Sequence, residues 1–76
     1  MKAQKIRIRT KKSDSAFIYH TLEAHEGLTA YRTIPHQVGD LHRDVELMFS
    51  PDALEDVKKL IFELQQQMDL EVLDRD

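Results

Sequence analysis

Lys5-Ile6-Arg7-Ile8-Arg9 alternates charged and β-branched residues without a break. Successive side chains of a strand point to opposite faces, so this stretch reads as a half-buried strand with Ile6 and Ile8 inward. Its outer face is then wholly cationic and needs acid beside it. Two later segments supply that acid. From Leu41 to Phe49 the alternation returns, with Leu41, Val45, Leu47 and Phe49 inward and His42, Asp44, Glu46 and Met48 outward. Leu70 to Leu73 reads as a short last strand that carries Glu71. Opposite charges on neighbouring strands contribute roughly 0.2–1 kcal/mol per pair, and like charges cost similar amounts. The basic strand is therefore expected between the two acidic ones.

Helices fill the gaps. Ser13 is the expected N-cap of the first, with Asp14 in a first turn where negative charge suits the helix dipole. Ala16 to Glu26 reads as that helix, with Phe17, Ile18, Thr21, Leu22 and His25 along one side. Gly27 is expected to end it, with Leu28 making the apolar contact of a glycine C-cap. Leu28 to Ile34 reads as a strand whose facing stays open, because Arg32 is in register with Leu28, Ala30 and Ile34. Pro35 to Asp40 forms a turn. Ser50-Pro51-Asp52 opens a second helix with cap, proline and acid in the expected places. Its stripe is Leu54, Val57, Leu60, Ile61, Leu64 and Met68, and Glu55 can pair with Lys59 on the outer face.

The resulting order is βαββαβ. Right-handed crossovers place both helices on one face of an antiparallel sheet ordered 4-1-3-2. The expected fold class is α+β, a ferredoxin-like open sandwich. Residues 1–76 form one domain, of which residues 1–4 are expected to be flexible.

A chain of 76 residues buries only about 60% of the surface that its unfolded form exposes. A lone core of this size supplies about 3–5 kcal/mol, so a partner subunit is a natural supplement. With no cysteine in the sequence, disulfides and thiolate metal sites are excluded. A net charge of −3 draws the chain as a whole toward neither nucleic acid nor anionic membrane. The N-terminus is basic but lacks the apolar stretch of a secretory signal. No apolar run approaches the ~20 residues of a membrane span, so a cytoplasmic location is expected.

Four stretches carry a resemblance to a known family: Ile6-Arg7-Ile8-Arg9, Leu22-Glu23-Ala24-His25-Glu26-Gly27-Leu28, Tyr31-Arg32-Thr33, and Ser50-Pro51 at the last helix. From Lys5 to about Leu73 the chain resembles a small ACT-like domain. It is especially similar to a family of short, stand-alone bacterial proteins of that shape. The resemblance implies dimerisation by strand pairing. It also implies amino-acid binding near the loop between first strand and first helix, where ACT domains carry an acidic residue followed by glycine. The matching stretch here is Lys12-Ser13-Asp14-Ser15-Ala16, in which Asp14 is present and no glycine follows it.

The same loop has a reading from its residues alone. Lys11 and Lys12 stand ahead of a helix N-terminus, with Ser13, Asp14 and Ser15 at its start. Free backbone N–H groups beside ammonium charge can hold a carboxylate or phosphate; the plainer reading is a solvated loop whose serine and aspartate cap the helix. The histidines invite a metal reading, but no two sit at helical spacing, and His36, Asp40 and His42 converge only if the turn allows it. No metal and no cofactor are expected. RNA-binding domains of this topology stack bases on sheet aromatics, where this chain has Lys5, Arg7 and Arg9, then His42, Asp44, Glu46 and Met48. No nucleic-acid partner and no membrane partner are expected. Nor does the sequence show a cysteine nucleophile, a glycine-rich phosphate loop or a triad spacing, so it is not read as an enzyme.

Tyr31, Met48, Phe62 and Leu73 are the apolar residues left off the inferred core, and they are the expected dimer interface. The reading is a non-catalytic interaction or regulatory module, homodimeric. The alternative is a sensor that binds an amino acid or other small anion at Lys11 to Ser15.

Overall fold

The basic strand runs through the interior of the sheet. A computed structural model describes residues 3–75 and contains β1 (Gln4–Lys11), α1 (Ser15–Ala24), β2 (Ala30–Thr33), β3 (His42–Phe49), α2 (Leu54–Gln65) and β4 (Leu70–Arg75). The sheet order is β2-β3-β1-β4, which is the expected order read from the opposite edge. Every neighbouring pair is antiparallel. Of residues 1–4, expected to be flexible, Gln4 belongs to β1 opposite Phe49; residues 1 and 2 lie outside the described residues.

Period-two alternation decides which side of this sheet is covered. Ile6 pairs with Leu47 and Ile8 with Val45, while Arg7 pairs with Glu46 and Arg9 with Asp44 on the other face. The isoleucines join Val45, Leu47 and Phe49 in one core with Ile18 and Leu22 of α1 and Val57, Leu60, Ile61 and Leu64 of α2. A single core fed by both helices means that both lie on the same face. The stripe of α2 is the expected one, with Leu54 and Met68 partly buried at its ends. Its ion pair is Lys58 with Glu55, at 3.7 Å and three residues apart, rather than Lys59 with Glu55.

At the edges the structure departs from expectation, each time for a local reason. Phe17 is 46% exposed rather than inward, because a helix turns by about 100° per residue and Ile18 takes the buried direction. Leu41 is 74% exposed; the β1–β3 ladder ends at Lys11 opposite His42, so Leu41 lies beyond it. Ser13 does not cap α1. It lies in a 3-10 turn, Lys12–Asp14, and the N-cap of α1 is Asp14 with no side-chain cap bond. The Ser50 hydroxyl likewise makes no cap bond, although Pro51 opens the turn that leads into α2. Helix α1 stops at Ala24, before Gly27, and among the described residues the one left-handed glycine is Gly39, with φ 96° in the turn before β3. The facing of β2 is settled by its partner: Tyr31 and Thr33 share the core face with Leu47 and Val45, and Ala30 and Arg32 share the open face.

Thr10 is buried on the core face of β1, and its Oγ1 has no hydrogen-bond partner among the described residues. A buried hydroxyl without a partner carries a desolvation cost that valine, nearly its isostere, does not. Thr10→Val is expected to raise stability by about 1 kcal/mol, a rise in Tm of about 4–8 °C for a domain of this size. Calorimetry showing an unchanged or lower Tm would mean that the hydroxyl is satisfied in solution.

Candidate functional site

Where β1 hands over to the 3-10 turn, two segments are tied together. The Lys12 N–H donates to the Leu41 carbonyl at 2.8 Å, which holds the approach to β3 against the loop after β1. A cleft of about 560 Å³ opens there, lined by Lys11, Lys12, Ser13, Leu41 and His42. Of the five residues expected to form an anion site, the structure brings Lys11, Lys12 and Ser13 to this cleft. Asp14 is the partly buried N-cap of α1, and the Ser15 hydroxyl donates to the Lys12 carbonyl at 2.8 Å; both serve the start of the helix.

The two lysines differ. Lys11 Nζ lies 3.0 Å from Asp69 Oδ2, and the hydrogen bond and charge of Asp69 raise its pKa. Among the described residues Lys12 has no carboxylate at ion-pair distance. Its ammonium, the exposed Leu41 and the imidazole of His42 place a cation next to an apolar wall. That combination suits a carboxylate with an apolar tail. Leu41 is the residue that sequence reasoning missed, because an intact alternation assigned it to the core.

A second cleft, of about 260 Å³, shares Leu41 and His42 with the first and is lined also by Arg9, His36, Asp40 and Asp44. It gathers the three residues considered for a metal. Among the described residues, however, no three His, Asp or Glu side chains are placed to hold a metal ion. Asp40 instead accepts the Gln37 N–H at 2.9 Å and shapes the turn.

The open face of the sheet is knitted by ion pairs. Arg9 Nε and Nη2 donate to Asp44 Oδ1 and Oδ2 at 2.8 and 3.0 Å, the two-pronged geometry that favours arginine over lysine. These bonds, with the charges of Arg9, Arg7 and His42, hold the Asp44 carboxyl below its usual range and raise Arg9 above its own. Glu46 sits between two arginines, accepting from Arg7 Nη2 and Arg32 Nη2 at 3.4 Å each. Its side chain is only 8% exposed although no helix covers that face.

The four residues expected at a dimer interface do not form one patch. Tyr31 faces the helices, stacked on Tyr19 with ring centroids 5.6 Å apart, and its hydroxyl donates to Glu23 at 3.0 Å. It packs against the core from which the sequence had left it out. Met48 lies mid-sheet on the open face, between Lys5 and Ala30 in register. Leu73 belongs to β4, at the opposite edge from Tyr31, and Phe62 belongs to α2 in the helical layer. Comparison with family models, curated proteins and solved structures finds no match to this chain. Among the described residues no helix is long and apolar enough to cross a membrane.

The Asp44–Arg9 pair makes stability depend on pH. The folded pKa of Asp44 is depressed, so its contribution is present above the unfolded value of about 3.9 and is lost as pH falls through the lower folded value. Wild type is expected to be more stable than Asp44→Asn at pH 6, with the gap closing as the medium is acidified below the ordinary carboxylate range. Urea titrations across that range check this; a gap independent of pH would contradict it.

Proposed function

We propose that this domain is a non-catalytic interaction or regulatory module that works in the cytoplasm as a homodimer, on a ferredoxin-like fold resembling small ACT-like domains. The interleaved order of strands and helices and the single helical layer support the ferredoxin-like description. One observation carries the interaction reading: beside an edge strand of a small core, Phe62 and Val72 stand 60% and 43% exposed. Large apolar side chains next to a free strand edge favour association. Light scattering at about 100 µM is expected to show dimer; monomer alone at that concentration would remove the reading, since weaker association adds little stability by mass action.

A second reading has its own support, the cleft beside Lys12, Ser13 and Leu41. It makes the domain a sensor for a small carboxylate such as an amino acid. Saturation at about 100 times the dissociation constant stabilises a domain by about 2.7 kcal/mol. On this reading a millimolar panel of amino and organic acids contains at least one that raises Tm. Lys12→Ala is expected to abolish that rise and Lys11→Ala only to weaken it, because Asp69 already engages Lys11. A panel without any shift would retire the sensor and leave the interaction module standing.

A further inference from the structure

Three clefts share His42, and they differ in the charge of their walls. The cleft of about 260 Å³ sets Arg9 beside Asp40 and Asp44. A neighbour of about 300 Å³ sets Arg9 and Lys11 beside Asp69 and Glu71. In both, cation and carboxylate are matched within the chain, since Arg9 grips Asp44 and Lys11 holds Asp69. The third, of about 560 Å³, is lined by Lys11, Lys12, Ser13, Leu41 and His42, and no carboxylate stands among them. Its size falls within the range of small-molecule sites.

Two acids act on Lys11 from outside that lining, Asp69 and Asp14. Asp69 is taken up by the Lys11 ammonium at 3.0 Å, and Asp14 is the partly buried N-cap of α1. Backbone acceptors are engaged as well. The Lys12 carbonyl accepts both the N–H and the hydroxyl of Ser15. The Leu41 carbonyl accepts the Lys12 N–H, and that of His42 accepts from Arg43 Nη1. What the cleft offers is therefore donors and apolar surface. The donors are the Lys12 ammonium and the Ser13 hydroxyl. The apolar surface is Leu41, 74% exposed, with the methylene stems of the two lysines.

An α-amino acid brings two charges to such a place. Its carboxylate finds a partner in Lys12, but the same pairing carries its ammonium to within a few ångströms of that cation. No acid in the lining offsets the repulsion, and an ammonium has only donors to give. We propose that the cleft selects monocarboxylates that have a short aliphatic tail and lack an α-ammonium, such as α-hydroxy and α-keto acids. It discriminates against the amino acids of the same skeleton, by like charge rather than by shape. This rests on the sensor reading and narrows its ligand to a class other than the one that the family resemblance implies.

Leucine and α-hydroxyisocaproate share a skeleton and differ by an ammonium against a hydroxyl. Each is titrated at neutral pH into isotope-labelled wild-type protein, and the backbone amide resonances of Lys12, Ser13 and His42 are followed by NMR. The hydroxy acid is expected to move these resonances at millimolar concentration, because one exposed ion pair supports little affinity. Leucine is expected to bind at least tenfold more weakly, a difference of about 1.4 kcal/mol. Lys12→Ala is expected to abolish the shifts caused by the hydroxy acid. Leu41→Ser, at a side chain already exposed, is expected to weaken them with an unchanged circular dichroism spectrum. Leucine that binds as tightly as the hydroxy acid would overturn the selection and leave the carboxylate sensor standing. Absence of shifts with both compounds, or hydroxy-acid shifts that persist in Lys12→Ala, would overturn the selection and the sensor together.

Discussion

Much of this structure follows from what β1 requires of its neighbours. Ile6 and Ile8 must be covered on one side, and Arg7 and Arg9 must meet acid on the other. A central strand has partners on both flanks and can satisfy both demands along its length. Asp44 and Glu46 on β3 and Glu71 on β4 provide the carboxylates, at positions paired with Arg9, Arg7 and Arg9 again. With β1 interior, the β3–α2–β4 crossover passes over it and the β1–α1–β2 crossover passes over β3, and the helices close the one face that its isoleucines need covered.

The open face is consequently paired largely within the chain, although among the described residues the buried Arg7 Nε has no hydrogen-bond partner. Glu46 is buried by arginines from strands on both sides, and Arg9 grips Asp44 through two bonds. Charged pairs of this exposure add little stability, about 0–1 kcal/mol each, but they leave few donors or acceptors there for a partner. What is left exposed lies at the margins, namely Phe62 of α2, Val72 of β4 and the cleft at the end of β1. That is why the functional readings attach to an edge and a loop rather than to the sheet face.

Legibility in the sequence follows the range of the interaction that decides each feature. Alternation and helical stripes are local, so the strands β1 and β3, the helix α2 and the strand order could be read from Ile6 to Arg9, from Val45 to Phe49 and from the leucines of α2. Ends are less local. Leu41 continues the alternation of β3, yet the ladder stops at His42 because β1 stops at Lys11. Ser13 looks like a cap, but a 3-10 turn intervenes and passes that role to Asp14. In the loop, Lys11 and Lys12 look equivalent until Asp69, far along the chain, pairs with the first of them. Sequence alone leaves the facing of β2 open, because Arg32 is in register with Leu28, Ala30 and Ile34. Glu46, from the next strand, resolves it by accepting Arg32 on the open face.

The ion pairs do their work in choosing a register rather than in adding stability. A slip of one residue between β1 and β3 would put charged side chains among the isoleucines, which burial forbids. A slip of two keeps every face, so the core alone discriminates less. Moved two residues one way, Arg7 would meet Asp44 and Lys5 would meet Glu46, but Ile8 would then oppose Arg43 in place of Val45. Moved the other way, the core stays apolar, with Ile6 against Phe49 and Ile8 against Leu47, but Arg7 falls opposite Met48 and loses its acid. Only the observed register gives Ile8 a valine partner and both arginines a carboxylate. Pairs worth a few tenths of a kcal/mol to about 1 kcal/mol each are enough to reject this second slip, which burial leaves nearly equal to the observed register.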